Sequence, residues 1–122
     1  AKVLAVDIDP EAVRVTKQNA IDNKLLGRVN IATSVGYRSN VVRGAAPFDL
    51  IVANVLARPL IGMAADTAAS LAPGGTVILS GLLERDAAWV VSQHRAYGLV
   101  FVRQWCLNDW ATLVMRKPDV HD

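Results

Sequence analysis

The chain has 122 residues, of which 52% are apolar and 20% are charged, a composition typical of a single globular domain. Its formal net charge of +2, without a Lys/Arg-rich run, gives no support to direct nucleic-acid binding. No apolar stretch approaches the roughly 18 residues that a membrane span needs, and Asp7 and Asp9 interrupt the first apolar run, so we expect neither a membrane anchor nor a signal peptide. The lone Cys106 excludes an intrachain disulfide and favours a reducing compartment, hence a cytoplasmic location.

The chain begins with a short apolar run, residues 3–6, that ends at Asp7. Such a run predicts a strand buried on both faces, as in a parallel sheet. Asp9-Pro10-Glu11 then signals a helix start, with Asp9 as the N-cap and Pro10 at the first helical position. Because the chain starts almost inside a strand, we expect that a segment of the parent protein precedes it.

Two further strands follow the first helix. Alternation of apolar residues predicts a second strand over residues 29–33, and the apolar run at residues 48–53 predicts a third that ends at Asn54. Between them, residues 36–47 are predicted to form a polar loop with two glycines.

The second half continues the alternation of helices and strands. Apolar residues at helical spacing predict one helix from Leu60 to Leu71, stopped by residues 72–75, and another from Ala87 to His94. Residues 76–80 predict a fourth strand closed by Gly81. Residues 99–104 and 110–115 predict an antiparallel hairpin, because the short link between them contains Asn108 and Asp109.

This order predicts an α/β fold, with a mostly parallel sheet, helices on both faces in three layers and an antiparallel C-terminal hairpin. Ligands of such sheets bind outside the carboxyl ends of the strands. The predicted strand ends carry Asp7, Ser34, Asn54 and Ser80, which are therefore the candidate site residues.

Each candidate has a functional and a structural interpretation. The carboxylate of Asp7 can accept hydrogen bonds from both hydroxyls of a ribose; since Asp9 already caps the helix, we expect no structural role for Asp7. Asn54 offers a donor and an acceptor at the cleft, although an asparagine at a strand exit is also a common turn residue. Ser34 could flank a purine ring or simply belong to a loop.

Aromatic and acidic residues elsewhere favour structural interpretations. The wide spacing of Trp89, Trp105 and Trp110 favours partial core burial over base stacking. Glu84 and Asp86 could serve as an acid/base pair, but their position at a helix start favours an interaction with the helix dipole.

Several segments resemble class I methyltransferases, and most of all the ribosomal protein L11 methyltransferase family. These segments are residues 6–10, Asn19-Ala20 with Asn23, residues 48–57, residues 71–75, residues 79–83 and residues 110–114. Pro73-Gly74-Gly75 is generic for class I methyltransferases, whereas residues 7–10 and 53–57 together are more specific to this family. The resemblance spans nearly the whole chain.

The resemblance implies a three-layer Rossmann-like fold and transfer of methyl groups from S-adenosylmethionine to amino groups of a ribosomal protein. It implies that Asp7 binds the cofactor ribose, that Ser34 lies near the adenine, and that Asn54 lies beside the methionine part and the amine to be methylated. No metal is implied.

The family's first strand and its Gly-x-Gly loop are not found in this sequence, so residues 1–122 are interpreted as part of a methyltransferase domain. That strand is expected to lie between the strand ending at Asp7 and the strand ending at Asn54. Without it, we expect a second copy to fill the gap, the sheet to close in a different order, or the chain to fold poorly. Exposed sheet edges also predict self-association.

Three alternatives remain open at this point. Another class I methyltransferase could act on a nucleic-acid base, a small molecule or glutamine, although the base and glutamine methylases usually carry Asn-Pro-Pro-Tyr where this chain has residues 54–57. A nicotinamide dehydrogenase could also place an acidic residue like Asp7, but residues 73–75 and the final hairpin count against it. Finally, the chain could be a truncated product without activity of its own.

Overall fold

The computed structural model describes residues 2–7, 9–22, 29–33 and 40–119, which form one six-stranded sheet with helices around it. The strands are β1 (Val3–Asp7), β2 (Val29–Thr33), β3 (Phe48–Asn54), β4 (Leu71–Leu83), β5 (Val100–Leu107) and β6 (Trp110–Arg116). The helices are α1 (Pro10–Asp22), α2 (Asn40–Ala45), α3 (Ala57–Gly62), α4 (Ala64–Ser70) and α5 (Ala87–Arg95), the last preceded by a short 3₁₀ turn (Glu84–Asp86).

The strand order is β2-β1-β3-β4-β6-β5. Strands β2, β1, β3 and β4 pair in parallel, whereas β6 pairs antiparallel with both β4 and β5. The predicted fold class, mostly parallel with an antiparallel C-terminal pair, is confirmed. Asn108 and Asp109 make the predicted hairpin turn with φ of 50° and 69°, the left-handed conformations that a tight two-residue turn requires.

Strands β1 and β3, which were expected to flank a further strand, pair directly with each other. Val3 lies opposite Leu50 and Asp7 lies opposite Asn54. Of the three outcomes expected for this chain, the structure shows the sheet closed in a different order.

The two faces of the sheet are covered unequally. The covered face packs against α3, α4 and α5 in one apolar core. Its strand residues include Leu4, Val6, Ile51, Ala53, Val77, Leu79, Leu82, Ala111, Leu113 and Met115. The opposite, half-exposed face meets α1 next to β1 and β2, but its residues in β3, β4 and β6 remain partly accessible. These are Leu50, Val52, Thr76, Ile78, Thr112 and Val114.

Two local expectations between β2 and β4 are wrong. The segment predicted as a loop contains the helix α2 at Asn40–Ala45. The sequence did not predict this helix because six residues are too few to show helical periodicity. The helix predicted from Leu60 to Leu71 is two helices that meet at Met63, whose N–H donates to the carbonyls of both Pro59 and Leu60.

The fourth strand is longer than predicted. It begins at Leu71, directly after α4, and continues through Gly81 to Leu83. Gly81 adopts a φ of +84° where the register with β6 shifts between Leu79 and Leu82, so it forms a bulge instead of closing the strand.

In the part of the chain that the structure describes, no helix has the length and apolar character needed to span a membrane.

Candidate active site

Three polar residues form a row across neighbouring strands at the carboxyl edge of the sheet. Asp7 ends β1 opposite Asn54, which ends β3, and Asn54 lies opposite Ser80 of β4. The parallel register brings together three of the four candidates that the sequence placed at strand ends. The fourth, Ser34, lies outside the described residues.

A chain of hydrogen bonds joins this row. The Asn54 Nδ2 amide donates to Asp7 Oδ2 at 3.1 Å, and the Ser80 Oγ hydroxyl donates to Asn54 Oδ1 over a longer distance of 3.4 Å. An ionised carboxylate only accepts hydrogen bonds, so Asp7 holds the amide of Asn54 with its NH₂ group towards β1. The Asn54 oxygen therefore faces β4.

Asp7 also supports the start of α1. Its Oδ1 accepts the backbone N–H of Asp9 at 2.9 Å, and Asp9 Oδ1 in turn accepts that of Glu11 at 2.9 Å. Asp9 is thus the N-cap that the sequence predicted. The expectation that Asp7 has no structural role is wrong, because its two oxygens join β1 to the entry of α1 and to β3.

A pocket of about 440 Å³ opens beside this row, a size within the range of small-molecule sites. It lies between the end of β3, the bulge of β4 at Gly81 and the start of β6. Its lining residues are Asn54, Val55, Leu56, Ser80, Gly81, Trp110, Ala111 and Thr112. The wall between β3 and β4 is held by the Val55 N–H, which donates to the Ser80 carbonyl at 2.9 Å.

A smaller cavity of about 190 Å³ lies under α1 on the half-exposed face. Val13 and Thr16 of α1 line it together with apolar residues of β1, β2 and β3. Asp7 and Asn54 belong to this lining as well, so Asn54 borders both spaces whereas Asp7 borders only the smaller one.

The other residues considered from the sequence lie apart from the row. Trp89, Trp105 and Trp110 are 41%, 47% and 49% exposed, so each is partly buried, although none belongs to the core cluster; Trp110 lines the pocket beside the row. Glu84 lines a separate pocket of about 500 Å³ with Leu83, Arg85 and Asp109. Among the described ranges, no group of His, Cys, Asp and Glu side chains could hold a metal ion.

Sequence patterns did not indicate a role for Gly81 at the site. Its Cα packs so closely against Asn54 that an added Cβ would lie 2.6 Å from Asn54 Oδ1. The signal available in the sequence was a glycine one position after a strand-end serine, which is more often only a turn.

Comparison with known families gives a match over residues 1–118 to the model described as ribosomal protein L11 methyltransferase (PrmA). A ribosomal protein L11 methyltransferase of Agrobacterium fabrum is 48% identical over 94% of this chain, and one of Bradyrhizobium diazoefficiens is 44% identical over 94%. The chain spans only 39% of the length of each of these relatives.

Solved structures agree on the fold. A crystal structure of ribosomal protein L11 methylase from Lactobacillus delbrueckii superposes with a TM-score of 0.68 at 28% identity, covering 95% of this chain and 58% of that one. A precorrin-6y C5,15-methyltransferase from Geobacter metallireducens gives a TM-score of 0.67 at 9% identity, covering 98% of this chain and 68% of that one. At such low identity the second likeness shows the fold alone.

Proposed function

The chain belongs to the ribosomal protein L11 methyltransferase family, and from this membership we propose that it is part of an enzyme that methylates amino groups of a ribosomal protein. The methyl donor is S-adenosylmethionine. The observation that carries the proposal is the row of Asp7, Asn54 and Ser80 beside a pocket of about 440 Å³. The partner is a ribosomal protein, without direct contact to nucleic acid, in the cytoplasm.

Asp7 is the proposed ribose ligand. A carboxylate offers about four acceptor positions, and the described contacts use one on each oxygen, for the Asp9 N–H and for the Asn54 amide. The remaining positions can accept two ribose hydroxyls, which fits a cofactor at this edge. Ser34 is proposed to lie near the adenine.

Asn54 is the proposed positioning group for the reacting amine. It is exposed at the strand end, and its amide oxygen faces the side of the pocket formed by Ser80 and Gly81. An acceptor in this position can take an N–H of a neutral amine and aim the nitrogen lone pair.

The reaction requires no covalent bond between the substrate and a side chain of the protein. Asp7 and Asn54 would hold S-adenosylmethionine at this edge, and the cofactor would supply an electrophilic methyl group for transfer to the amine. The chain's contribution would be to hold the two partners in line, with the Asn54 oxygen accepting an N–H of the neutral amine. The nitrogen that gains the methyl group would then release one of its own protons to solvent.

Calorimetric titration with S-adenosylmethionine tests the cofactor part of the proposal. In an extended, active form of the chain, Asp7→Ala should weaken binding by roughly 1–3 kcal/mol, because the ribose hydroxyls lose their acceptor. Asp22→Ala is the matched control, since Asp22 lies at the far end of α1, about 18 Å along the helix axis. Unchanged affinity in a folded Asp7→Ala protein would remove Asp7 from the site. No binding by the unsubstituted chain would favour a chain without activity of its own.

Methyl transfer to an amine-bearing peptide tests the role of Asn54. Asn54→Ala should reduce turnover far more than it lowers the melting temperature, because the side chain is exposed and positions a substrate. A large loss of melting temperature with normal turnover would instead assign Asn54 to the fold.

A further inference from the structure

We propose that Gly81 is the positioning residue for Asn54: the absence of a side chain at Gly81 is what lets the Asn54 amide oxygen rest against the β4 bulge, facing the pocket. Ser80 assists it. The positioning itself is a property of this chain, whereas its consequence for catalysis rests on the proposed function.

The contact between Gly81 and β3 leaves no room for a side chain. A Cβ on Gly81 would lie 2.6 Å from Asn54 Oδ1, 3.0 Å from the Val55 nitrogen and 3.2 Å from the Val55 oxygen. The Val55 backbone cannot retreat freely, because its N–H donates to Ser80 O at 2.9 Å. The group that must move is therefore the Asn54 side chain.

The bulge and the carboxylate of Asp7 act on opposite ends of the same amide. Asp7 Oδ2 holds the NH₂ group at 3.1 Å, and Gly81 makes space for the oxygen. The Ser80 hydroxyl adds a hydrogen bond to that oxygen, but at 3.4 Å it contributes less. When ribose hydroxyls share the acceptors of Asp7, the β4 side keeps the amide in place.

This arrangement sets the polarity of the pocket. The amide presents a hydrogen-bond acceptor to it, so the site favours substrates that bring an N–H donor, such as a neutral primary amine. Groups that only accept, such as carboxylates and ethers, would place an oxygen against the Asn54 oxygen without a hydrogen bond between them, which disfavours their binding.

Nuclear magnetic resonance of the ¹⁵N-labelled chain tests the positioning directly. The side-chain NH₂ signals of Asn54 are identified by their loss in Asn54→Ala. Gly81→Ala should shift these signals towards those of a free asparagine and speed their exchange with water. Gly98→Ala is the matched control, because Gly98 has a similar φ of +92° but nothing within 4 Å of an added Cβ. Asn54 signals that are unchanged in Gly81→Ala would overturn the proposal.

A double-substitution cycle covers the case in which Gly81→Ala folds poorly. If the clash involves the Asn54 side chain, Gly81→Ala should lower the melting temperature more in the presence of Asn54 than in the Asn54→Ala background. Equal losses in the two backgrounds, or failure to fold in both, would place the clash on the backbone and overturn the proposal.

Kinetics then separate this proposal from the proposed function. In protein that transfers methyl groups, Gly81→Ala should lower kcat by about 100-fold, the effect of misplacing a positioning group by about 1 Å, with the KM for S-adenosylmethionine little changed. Ser80→Ala should also lower kcat, but by less than Gly81→Ala does. If Gly81→Ala shifts the Asn54 NH₂ signals but the protein transfers no methyl groups, the proposed function is contradicted. The proposal that Gly81 positions Asn54 would still hold. Normal kcat in folded Gly81→Ala would overturn its catalytic consequence.

Discussion

The covered and half-exposed faces of the sheet come from the same strands, yet they differ in what encloses them. Leu79 of β4 is fully buried against the helices of the covered face, whereas its neighbour Ile78 points to the other face and stays partly accessible. Because successive residues of a strand point to opposite faces, the backbone is shared and only the packing differs. The comparison therefore separates what the sheet itself contributes from what the helices add.

The candidate site lies at the edge where the two faces meet. Its polar row is exposed or half-buried, while the residues one position earlier, Val6, Ala53 and Leu79, are buried in the core. The covered face thus fixes the ends of β1, β3 and β4 relative to one another. The half-exposed face leaves Asp7 and Asn54 accessible.

The two faces should differ most in the stability that is lost when neighbouring side chains of β4 are shortened to alanine. Leu79→Ala should lower the free energy of unfolding by about 3 kcal/mol, since it leaves a cavity in a closed core. Ile78→Ala should cost about 1 kcal/mol, because water already reaches that side chain. Urea denaturation followed by circular dichroism measures both.

Equal losses would contradict the contrast and indicate that something covers the half-exposed face in solution. Repeating the denaturation at several protein concentrations would show whether a second copy provides that cover, because only then would the midpoint depend on concentration.

The covered face also contains a titratable group, His94, which is fully buried on α5. Its Nδ1 lies 2.7 Å from the Val90 carbonyl, and Nε2 has no hydrogen-bond partner among the described residues. Since a carbonyl only accepts, Nδ1 carries the proton of the neutral ring. Burial lowers the pKa of His94 below its usual value of 6.5, more than the bond to Val90 raises it.

Acid should therefore destabilise the fold through His94. With its pKa lowered in the folded state, the unfolded chain binds the proton more readily, so this contribution is complete above pH 6.5 and is lost as pH falls towards the folded pKa. We expect the free energy of unfolding to fall between pH 7.5 and pH 5, and His94→Gln to flatten that dependence. His121→Gln, which changes the other histidine of the sequence, should leave it unchanged. If the free energy of unfolding of His94→Gln depends on pH as steeply as that of the unsubstituted chain, His94 is not the cause of the dependence.

A smaller effect is expected where the C-terminal end of β6 meets α4. The Lys117 Nζ donates to the carbonyls of Ala68 at 2.9 Å and Leu71 at 3.1 Å, which satisfies groups left free at a helix end. Lys117→Met should cost about 1.5 kcal/mol of stability. The exposed Lys17 of α1 provides the control, and melting temperatures of the two Met variants should differ clearly; equal values would show that the Lys117 contact contributes nothing.

The sequence predicted the strands well because most are apolar runs with clear ends, and the hairpin because Asn108 and Asp109 suit its turn. It missed α2, which has no measurable period, and the bulge at Gly81, which depends on the register between β4 and β6. It also missed the bond between Asp7 and Asn54. Those residues are separated by 47 positions, so their contact follows from the strand order, which local patterns do not determine.

Substitutions in the hairpin, on the half-exposed face, should have the smallest effect on stability. They should instead reduce association between copies of the chain. Trp105 lies opposite Thr112 and Leu107 opposite Trp110, so these side chains share one face. Trp105, Leu107 and Trp110 are 47%, 74% and 49% exposed, on and next to the outermost strand of the sheet. An edge strand with free backbone groups and an apolar face is a site for pairing with another copy.

Substitution of Trp105 and Leu107 by serine should therefore change the free energy of unfolding by no more than about 0.5 kcal/mol. It should reduce the self-association that we predict for this chain, as measured by size-exclusion chromatography with light scattering over a range of concentrations. Val15→Ser is the control, because Val15 is 44% exposed on α1, away from this edge. Arg103 already shields part of the surface, with its guanidinium 4.6 Å from the Trp105 ring centre, so Leu107→Ser alone should account for most of the change. If the unsubstituted chain is monomeric at every concentration, the exposed edge and its apolar face do not drive association. If the double variant still associates, the contact between copies lies elsewhere.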